Sequence, residues 1–265
     1  MGHLIDQRGV LYPAQLPTFH RESAPAELRE LIRWFWIPRW NLPPGAVSRQ
    51  EVLPFPTANL VVEPGGVSLS GPTTGISHRE LRGHGWAVGA LLRPAALALV
   101  HPQPHILNDR ELQLPLPALH AAVVEAMGED DEERGRGRAV DAYSRWAAAN
   151  LAPPDEDGRL ANLLEEVVSA NPEITRVDQL AQKLHLSVRS LQRLTKRYMG
   201  LPPLAIIRRY RLQEAAHRLR TDPSLSIAQV ALDLGYADQA HLANDFRRVL
   251  GLPPHRYRYH PKHST

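Results

Sequence analysis

Two basic segments in the last hundred residues carry long hydrogen-bond donors at helical spacing. Residues on a helix advance by about 100° each, so side chains three or four positions apart share one face. The first segment has an apolar face that includes Leu191 and Leu194. Its opposite face carries four long donors, namely Arg189, Gln192, Arg193 and Lys196. Arginine and glutamine can each pair with a base edge, and lysine can bind a phosphate. The chemistry available to this face is therefore contact with duplex DNA.

The second basic segment is a weaker candidate for reading bases. Asn244 could pair with adenine, whereas Ala240 can only touch a thymine methyl group. We therefore expect the first segment to read sequence more strongly and the second to hold the DNA through Arg247 and Arg248. The complete set of predicted DNA contacts is Arg189, Ser190, Gln192, Arg193, Lys196, Gln239, Ala240, His241, Asn244, Arg247 and Arg248. The alternative is the solvated basic face of an ordinary helical bundle.

An internal repeat indicates which elements position these residues. Residues 177–184 are echoed by residues 227–234, and each copy ends on the same Gly-Leu-Pro-Pro sequence, at 200–203 and at 251–254. The copies are offset by 50 residues at their start and by 51 at their end, so one residue is inserted in a connecting turn. This pattern predicts two helix-turn-helix units, at about 176–199 and 226–250, joined by a helix that begins at Pro203.

The charge of the chain is divided between its two halves. The 265 residues carry a net charge of +3, but residues 159–265 hold 17 Lys and Arg against 9 Asp and Glu, and residues 1–158 hold 14 against 19. A basic part joined to an acidic part is expected when only one half meets phosphates. Because the charge changes after the proline-rich and acidic residues 152–158, we predict domains at 1–152 and 159–265. The first would sense an effector or dimerise, and the second would bind DNA.

The N-terminal half is predicted to be a small β sandwich or open barrel with trailing helices, which makes the chain α+β. Short apolar runs, such as residues 59–62 and 86–92, are separated by proline and glycine turns. A later helical stripe contains Val140, Tyr143 and Trp146. This helix could pair with its twin in a homodimer, or it could cover the β layer of its own subunit.

All five tryptophans lie before the predicted boundary, which suggests a small-molecule site in the N-terminal half. Pockets lined by aromatic side chains and a few polar groups are typical ligand sites. The predicted effector-binding residues are Trp34, Trp36, His84, Trp86 and Arg93. The alternative is that the tryptophans fill a small β core.

Several classes of chemistry find no support in the sequence. There is no cysteine, which excludes disulfides and thiolate chemistry. His101 and His105 have i,i+4 spacing, but the intervening prolines prevent the helix that a metal site would need, so we predict no metal and no cofactor. Nucleotide-binding glycine motifs and a Gly-x-Ser-x-Gly elbow are missing, which argues against an enzyme. No apolar run reaches the ~20 residues of a membrane span, and a cytoplasmic location is expected.

The C-terminal motifs resemble the AraC/XylS-type transcriptional regulators. The residues that carry the likeness are Leu180-Ala181, Leu191-Gln192-Arg193-Leu194 and Gly200-Leu201-Pro202-Pro203 in the first unit, and Ile227-Ala228, Leu234-Gly235-Tyr236, Phe246-Arg247-Arg248 and Gly251-Leu252-Pro253-Pro254 in the second. The resemblance implies an asymmetric DNA site read in major-groove segments about one helical turn (~34 Å) apart. It also implies contact with RNA polymerase during activation, and it places base contacts at the predicted positions.

One departure from the repeat concerns a turn. His185 stands where the second unit has Gly235, a position expected to need a positive φ, which histidine tolerates better than most residues. More distantly, the N-terminal half resembles sensor domains of such regulators, through Trp34-Phe35-Trp36, Leu53-Pro54-Phe55-Pro56 and the segment from Gly89 to Pro94. The predicted function is an effector-controlled transcriptional regulator. The alternative is an enzyme that modifies a ligand and is fused to a DNA anchor.

Overall fold

The structure is a computed structural model that describes residues 18–52, 55–73 and 75–259. The N-terminal half of these residues contains nine strands. They are β1 (Thr18–Ser23), β2 (Ile32–Asn41), β3 (Val47–Val52), β4 (Asn59–Glu63), β5 (Gly66–Ser70), β6 (Ser77–Arg82), β7 (His84–Trp86), β8 (Val88–Leu92) and β9 (Glu111–Leu114). Seven of them form one antiparallel sheet in the order β1-β2-β8-β4-β5-β9, with β7 also paired to β2. Strands β3 and β6 form a second sheet of two strands.

Alternation along β2 gives the large sheet two different faces. Phe35 and Ile37 are buried in the hydrophobic core, whereas Trp34, Trp36 and Trp40 are half-buried on the other side. Successive residues of a strand point to opposite faces, so this strand supplies a core and a cavity wall at the same time.

Helices α2 (Pro117–Met127) and α3 (Glu132–Asn150) cover the core face, and α1 (Pro94–Val100) follows β8 directly. The Tyr143 side chain is fully buried beneath α3, where its hydroxyl donates to the Leu60 carbonyl over 2.8 Å. Val140 is buried and Trp146 half-buried in the same cluster. Of the two alternatives for this helix, the structure therefore shows the one in which it covers the sheet of its own subunit.

The C-terminal half is helical throughout the residues that are described. Its helices are α4 (Glu156–Ala170), α5 (Val177–Lys183), α6 (Val188–Met199), α7 (Pro203–Thr221), α8 (Ile227–Asp233), α9 (Gln239–Leu250) and α10 (Pro254–Tyr259). Helices α5 and α8 have 7 residues each, and α6 and α9 have 12 each. The inserted residue therefore falls in the turn between α8 and α9, and the predicted α+β class with two helix-turn-helix units is confirmed.

The tight turns of the two units have the same backbone conformation. His185 has φ 54° and Gly235 has φ 67°, which confirms the expectation for this position. Each unit also has its own apolar core, centred on Leu191 in the first and on Phe246 in the second. The first core is continuous with the N-terminal half, since Phe55 and Leu91 pack into it. Among the described residues, no helix combines the length and apolarity needed to cross a membrane.

Candidate nucleic-acid interface and ligand cavity

Helix α6 presents the first set of predicted DNA contacts on its outer face. It begins after Ser187, whose hydroxyl accepts the Ser190 N–H over 3.1 Å, and ends at Gly200 in the left-handed conformation. Its inner face is held by buried Leu191, Leu194, Thr195, Tyr198 and Met199. The outer face consists of exposed Arg189, Gln192, Arg193 and Lys196, with Ser190 half-buried beside them. Folding therefore sequesters none of these polar groups.

The cations of this face differ from their neighbour Arg197. Arg189, Arg193 and Lys196 form no ion pair with any residue in the described part of the chain. Arg197 lies 3.1 Å from Asp157 and 3.5 Å from Asp155, both at the start of α4. Internal partners thus engage the arginine that points back to the bundle and leave the outward cations available for phosphates or bases.

Helix α9 presents the second set of predicted DNA contacts, and some of their side chains form hydrogen bonds within the protein. Asp238 caps the helix by accepting the His241 N–H over 2.7 Å. The Asn244 side-chain oxygen accepts a hydrogen bond from Arg247, and Arg248 donates to the buried Asp245 over 2.6 Å. The predicted contacts on this helix are all exposed, namely Gln239, Ala240, His241, Asn244, Arg247 and Arg248. DNA binding through Asn244 would require its hydrogen bond with Arg247 to rearrange.

A groove separates the outer face of α6 from the N-terminal half. Ser190, Arg193 and Lys196 line one side, and Pro102 and His105 line the other. The side chains of α6 that are predicted to contact DNA are exposed or, for Ser190, half-buried beside this groove, so the N-terminal half borders the candidate interface without covering it.

A cavity of about 450 Å³ lies between the large sheet and the strand pair β3–β6. The wall contains five aromatic side chains, namely Phe19, Trp34, Trp36, Trp40 and Phe55. Glycines make room for two of the indoles, since a Cβ on Gly89 would lie 2.1 Å from the Trp36 ring and one on Gly85 would lie 2.4 Å from the Trp40 ring. The Trp36 Nε1 donates to Asn59 Oδ1 over 2.8 Å, which fixes the ring across the sheet.

Charged groups are distributed along the same cavity. The Arg21 guanidinium stacks 4.8 Å from the centre of the Trp34 ring. At another part of the wall, Arg79 pairs with Glu111, and hydrogen bonding to Arg79 lowers the Glu111 pKa against the opposing effect of burial. Burial raises the pKa of Glu63, which also lines the cavity. The cavity is thus aromatic with a few ionic groups, as many small-molecule sites are.

The structure brings two of the five predicted effector residues to this cavity. Trp34 and Trp36 line it, but His84, Trp86 and Arg93 do not. His84 is exposed on β7, and Trp86 packs against the core on the helix-covered side of the sheet. Arg93 lies at the start of α1, where its side chain turns towards α4 instead. The sequence suggested one shared site for all five residues, but the fold places His84, Trp86 and Arg93 in different locations.

Arg93 belongs to an ion cluster between the two halves that the sequence did not reveal. At its centre is Glu165 on α4, whose side chain is 1% exposed. Its Oε1 lies 3.1 Å from Arg33 and accepts the Tyr210 hydroxyl over 2.8 Å, and its Oε2 lies 3.5 Å from Arg93. The Arg33 guanidinium also stacks 4.9 Å from the Trp34 ring. One buried carboxylate therefore connects β2, the start of α1, α4 and the linking helix α7.

Aromatic contacts run beside this cluster from the cavity to α7. The Phe55 ring meets the Trp34 ring at 5.6 Å and the Tyr210 ring at 6.3 Å, both edge to face. Phe55 and Asn59 were not predicted as site residues. Asn59 belongs, with Leu53-Pro54-Phe55-Pro56, to the segment that resembles sensor domains, and it alternates with Val61 and Glu63 along one face of β4, but neither signal identifies a cavity residue until the sheet is known.

Comparisons with known proteins match both halves separately. A helix-turn-helix domain profile matches residues 180–260, and a profile for a domain of unknown function (DUF6597) matches residues 20–112. The regulator MtrA of Neisseria gonorrhoeae is 30% identical over 103 residues, which is 39% of this chain and 34% of MtrA. An AraC-like transcription regulator of Streptomyces lividans is 34% identical over 124 residues, which is 47% of this chain and 39% of that protein. The match therefore spans only about a third to two fifths of these relatives.

Among solved structures, an apo ToxT variant from Vibrio cholerae is similar over 90% of this chain and 98% of its own, with 12% identity and a TM-score of 0.48. The helix-turn-helix profile and the relatives converge on the same C-terminal segment. The C-terminal half of this chain therefore carries a helix-turn-helix domain of the AraC/XylS type, the family that its repeated motifs had indicated.

Proposed function

We propose that the protein is a transcriptional regulator that binds an asymmetric DNA site through α6 and α9. The observation that carries this proposal is the outer face of α6, where Arg189, Gln192, Arg193 and Lys196 are exposed on a capped helix whose other face is buried. A basic recognition helix of this kind enters the major groove with its donors towards base edges. The function is regulatory rather than enzymatic, as it is for the relatives named above.

The two helices contribute differently to the proposed contact. Helix α6 reads bases through Gln192 and Arg193, because these long donors have no internal partner among the described residues. Helix α9 binds mainly to the phosphate backbone of the DNA, because the side chains of Asn244 and Arg248 already have hydrogen-bond partners on their own helix. Ser190, Gln239, Ala240 and His241 lie at the edges of the two faces and complete the contact.

The experiment is selection of bound sequences from a pool of random duplex DNA, followed by affinity measurement with the enriched sequence. The intact protein should enrich a bipartite motif, and the variant with Gln192→Ala and Arg193→Ala should lose the half that α6 reads. Arg197→Ala is the matched control, because this arginine is on the same helix but is paired with α4. Failure of the intact protein to enrich any motif would refute the proposal.

We further propose that a small molecule in the N-terminal cavity controls this regulator. Its chemistry should be a flat apolar body with a polar end, because aromatic rings form the wall and ionic groups such as Arg21 and Glu63 interrupt it. Anilinonaphthalene sulfonate is a suitable probe of this shape. It should bind with saturation to the native protein and bind weakly to a Gly89→Val variant, in which the Trp36 ring is displaced into the cavity.

Three further elements belong to the proposal. Contact with RNA polymerase and a cytoplasmic location are proposed from the resemblance to AraC/XylS-type transcriptional regulators. Self-association is also proposed, but not through the buried side of α3, because Val140 and Tyr143 are occupied within the subunit. Sedimentation of the intact protein, with and without the enriched DNA, tests for a homodimer.

A further inference from the structure

Two loops of the N-terminal half contact the C-terminal ends of the proposed recognition helices α6 and α9. The first loop joins β5 to β6, and its described residues are 71–73 and 75–76. The second loop comprises residues 104–110, before β9. They are tied to each other, because the Gly71 N–H donates to the Arg110 carbonyl over 2.9 Å and the Asp109 N–H donates to the Pro72 carbonyl over 3.0 Å. We call them together the two-loop platform.

The second loop holds the end of α6. The Asn108 side chain donates to the Gly200 carbonyl over 2.9 Å. Gly200 has φ 69°, and a Cβ at this position would lie 2.5 Å from the carbonyl carbon of Pro104 and 2.6 Å from the His105 nitrogen. The backbone of the platform is therefore in close contact with the residue at which the first recognition helix ends.

The first loop holds the end of α9. The Ile76 N–H donates to the Val249 carbonyl over 2.7 Å, and the Ile76 side chain packs against the core of the second unit. The Val249 carbonyl lies in the last turn of α9, where it has no acceptor role in a continuing helix. A loop amide thus satisfies a helix-end group of the second unit.

The linking helix α7 is fastened to the same platform between these two points. The Arg209 side chain is buried and donates to the Thr73 carbonyl. Burial lowers the Arg209 pKa to about 10, while the charge of Asp109 on the other loop opposes this shift. A buried arginine is costly unless it is hydrogen-bonded, so this contact favours one position of α7 against the platform.

Three contacts on one tied pair of loops leave the two units little freedom to move relative to each other. If α7 alone joined the two units, bending or rotation could change the position of one unit relative to the other. The platform contacts at the ends of both α6 and α9 restrict that movement. We propose that the two-loop platform sets the distance and angle between α6 and α9, and thereby the spacing of the two DNA segments that the protein reads. This inference rests on the proposed DNA-binding function. Gly71 and Thr73 also line the cavity, so an occupant would reach both units through this platform.

The two glycines that end the recognition helices allow a matched test. Gly200 and Gly251 have φ 69° and 65°, so alanine introduces similar backbone strain at either position. A Cβ on Gly200 would collide with the platform, whereas one on Gly251 meets no heavy atom within 4 Å among the described residues. Gly200→Ala therefore perturbs the platform contact, and Gly251→Ala controls for the strain.

The experiment is selection from random duplex DNA with the full chain and the variants Gly200→Ala, Gly251→Ala, Ile76→Ala and Asn108→Ala. We expect the intact protein and Gly251→Ala to enrich two half-motifs at one fixed spacing. Gly200→Ala and Ile76→Ala should enrich the same half-motifs over a broadened range of spacings. Their affinity for the fixed-spacing site should fall by about 5- to 150-fold, the usual size of coupling between sites.

The outcomes separate the two proposals. If the intact protein enriches no bipartite motif, the proposed function fails. If it does, but the platform variants select the same single spacing with unchanged affinity, the platform has no role in spacing and the inference is overturned. Asn108→Ala removes only one hydrogen bond, so it decides the question if Gly200→Ala does not fold, which circular dichroism would reveal. Hydrogen exchange of residues 239–250 provides a second readout, with faster exchange expected in Ile76→Ala.

Discussion

Replacing Glu165 by glutamine should strongly destabilise the protein, although the change is nearly isosteric. The Glu165 side chain is 1% exposed, and those of its partners Arg33 and Arg93 are 18% and 13% exposed. Removing one member of a buried ion pair leaves the other charge uncompensated and typically costs about 3–5 kcal/mol. Two guanidinium groups would lose their shared partner in this variant. Because both retain some contact with water, we expect the lower end, about 3 kcal/mol.

The neighbouring residue Glu166 is the control. It also pairs with Arg93, at 2.5 Å, but its side chain is 59% exposed. Exposed ion pairs contribute about 0–1 kcal/mol, so Glu166→Gln should change the free energy of unfolding very little. In a chain of this size, about 3 kcal/mol corresponds to a melting temperature lowered by roughly 6–12 °C, and the control should move by less than about 4 °C.

Urea unfolding followed by two signals is the appropriate assay. All five tryptophans are in the N-terminal half, so fluorescence reports that half, while far-UV circular dichroism reports the helices that dominate the other. We expect both midpoints to fall in Glu165→Gln, because the cluster joins the two halves. If Glu165→Gln and Glu166→Gln had equal stability, the Glu165 carboxylate would not stabilise the contact between the two halves, and the reasoning about the ion cluster would be wrong.

Three further predictions concern the interface and the cavity. Arg193→Ala should weaken binding to the enriched sequence by about 1–3 kcal/mol and relax the base preference at one base pair. Lys196→Ala should weaken binding to all sequences and reduce the slope of log affinity against log salt concentration by about 0.9. If DNA titrations at several salt concentrations show the same pattern for both variants, the assignment of Arg193 to a base and Lys196 to a phosphate is wrong. Gly89→Val should strongly weaken probe binding in the cavity, whereas Gly137→Ala should leave it intact, because a Cβ on Gly137 meets no described heavy atom within 4 Å. Equal binding by both variants would place the probe elsewhere. Glu63→Gln should raise the urea midpoint at pH 7. Burial raises the Glu63 pKa above its usual 4.5, so the folded state takes up a proton more readily than the unfolded state and loses stability as the pH rises through that range. The advantage of the variant should vanish below about pH 4, where both states are protonated, and an advantage that persisted there would have another cause.

The helix-turn-helix half could be predicted from the sequence because its determinants are local. Apolar spacing, the capping Ser187 and the terminal glycines each act within a few residues, and the repeat states them twice. Even the unusual φ of His185 followed from its alignment with Gly235. Exposure of the outer face of α6 followed in turn, since a helix with one apolar face leaves the other to solvent.

The cavity could not be predicted in the same way because strand register is not local. Strand β2 is apolar on both faces, so its sequence does not indicate which tryptophans line a cavity and which residues enter the core. Arg21, Phe55 and Asn59 reach the cavity from separate elements, and only the pairing of those elements brings them together. Trp86 was chosen by residue type, but it lies on the core side. The contacts that surround Glu165 join residues that are 45 to 132 positions apart, for which the sequence contains no pattern.

The contacts of Asp155 have a consequence for where the chain can be cut. Its side chain accepts the Gly158 N–H over 2.7 Å at the start of α4 and the Tyr198 hydroxyl over 2.8 Å at the end of α6, and the hydrogen bond from Tyr198 lowers its pKa. A fragment that begins at Arg159 would lack this carboxylate and the first turn of its opening helix. A protease acting at residues 151–154 would leave it in place. Truncations meant to isolate the DNA-binding half should therefore begin before Asp155.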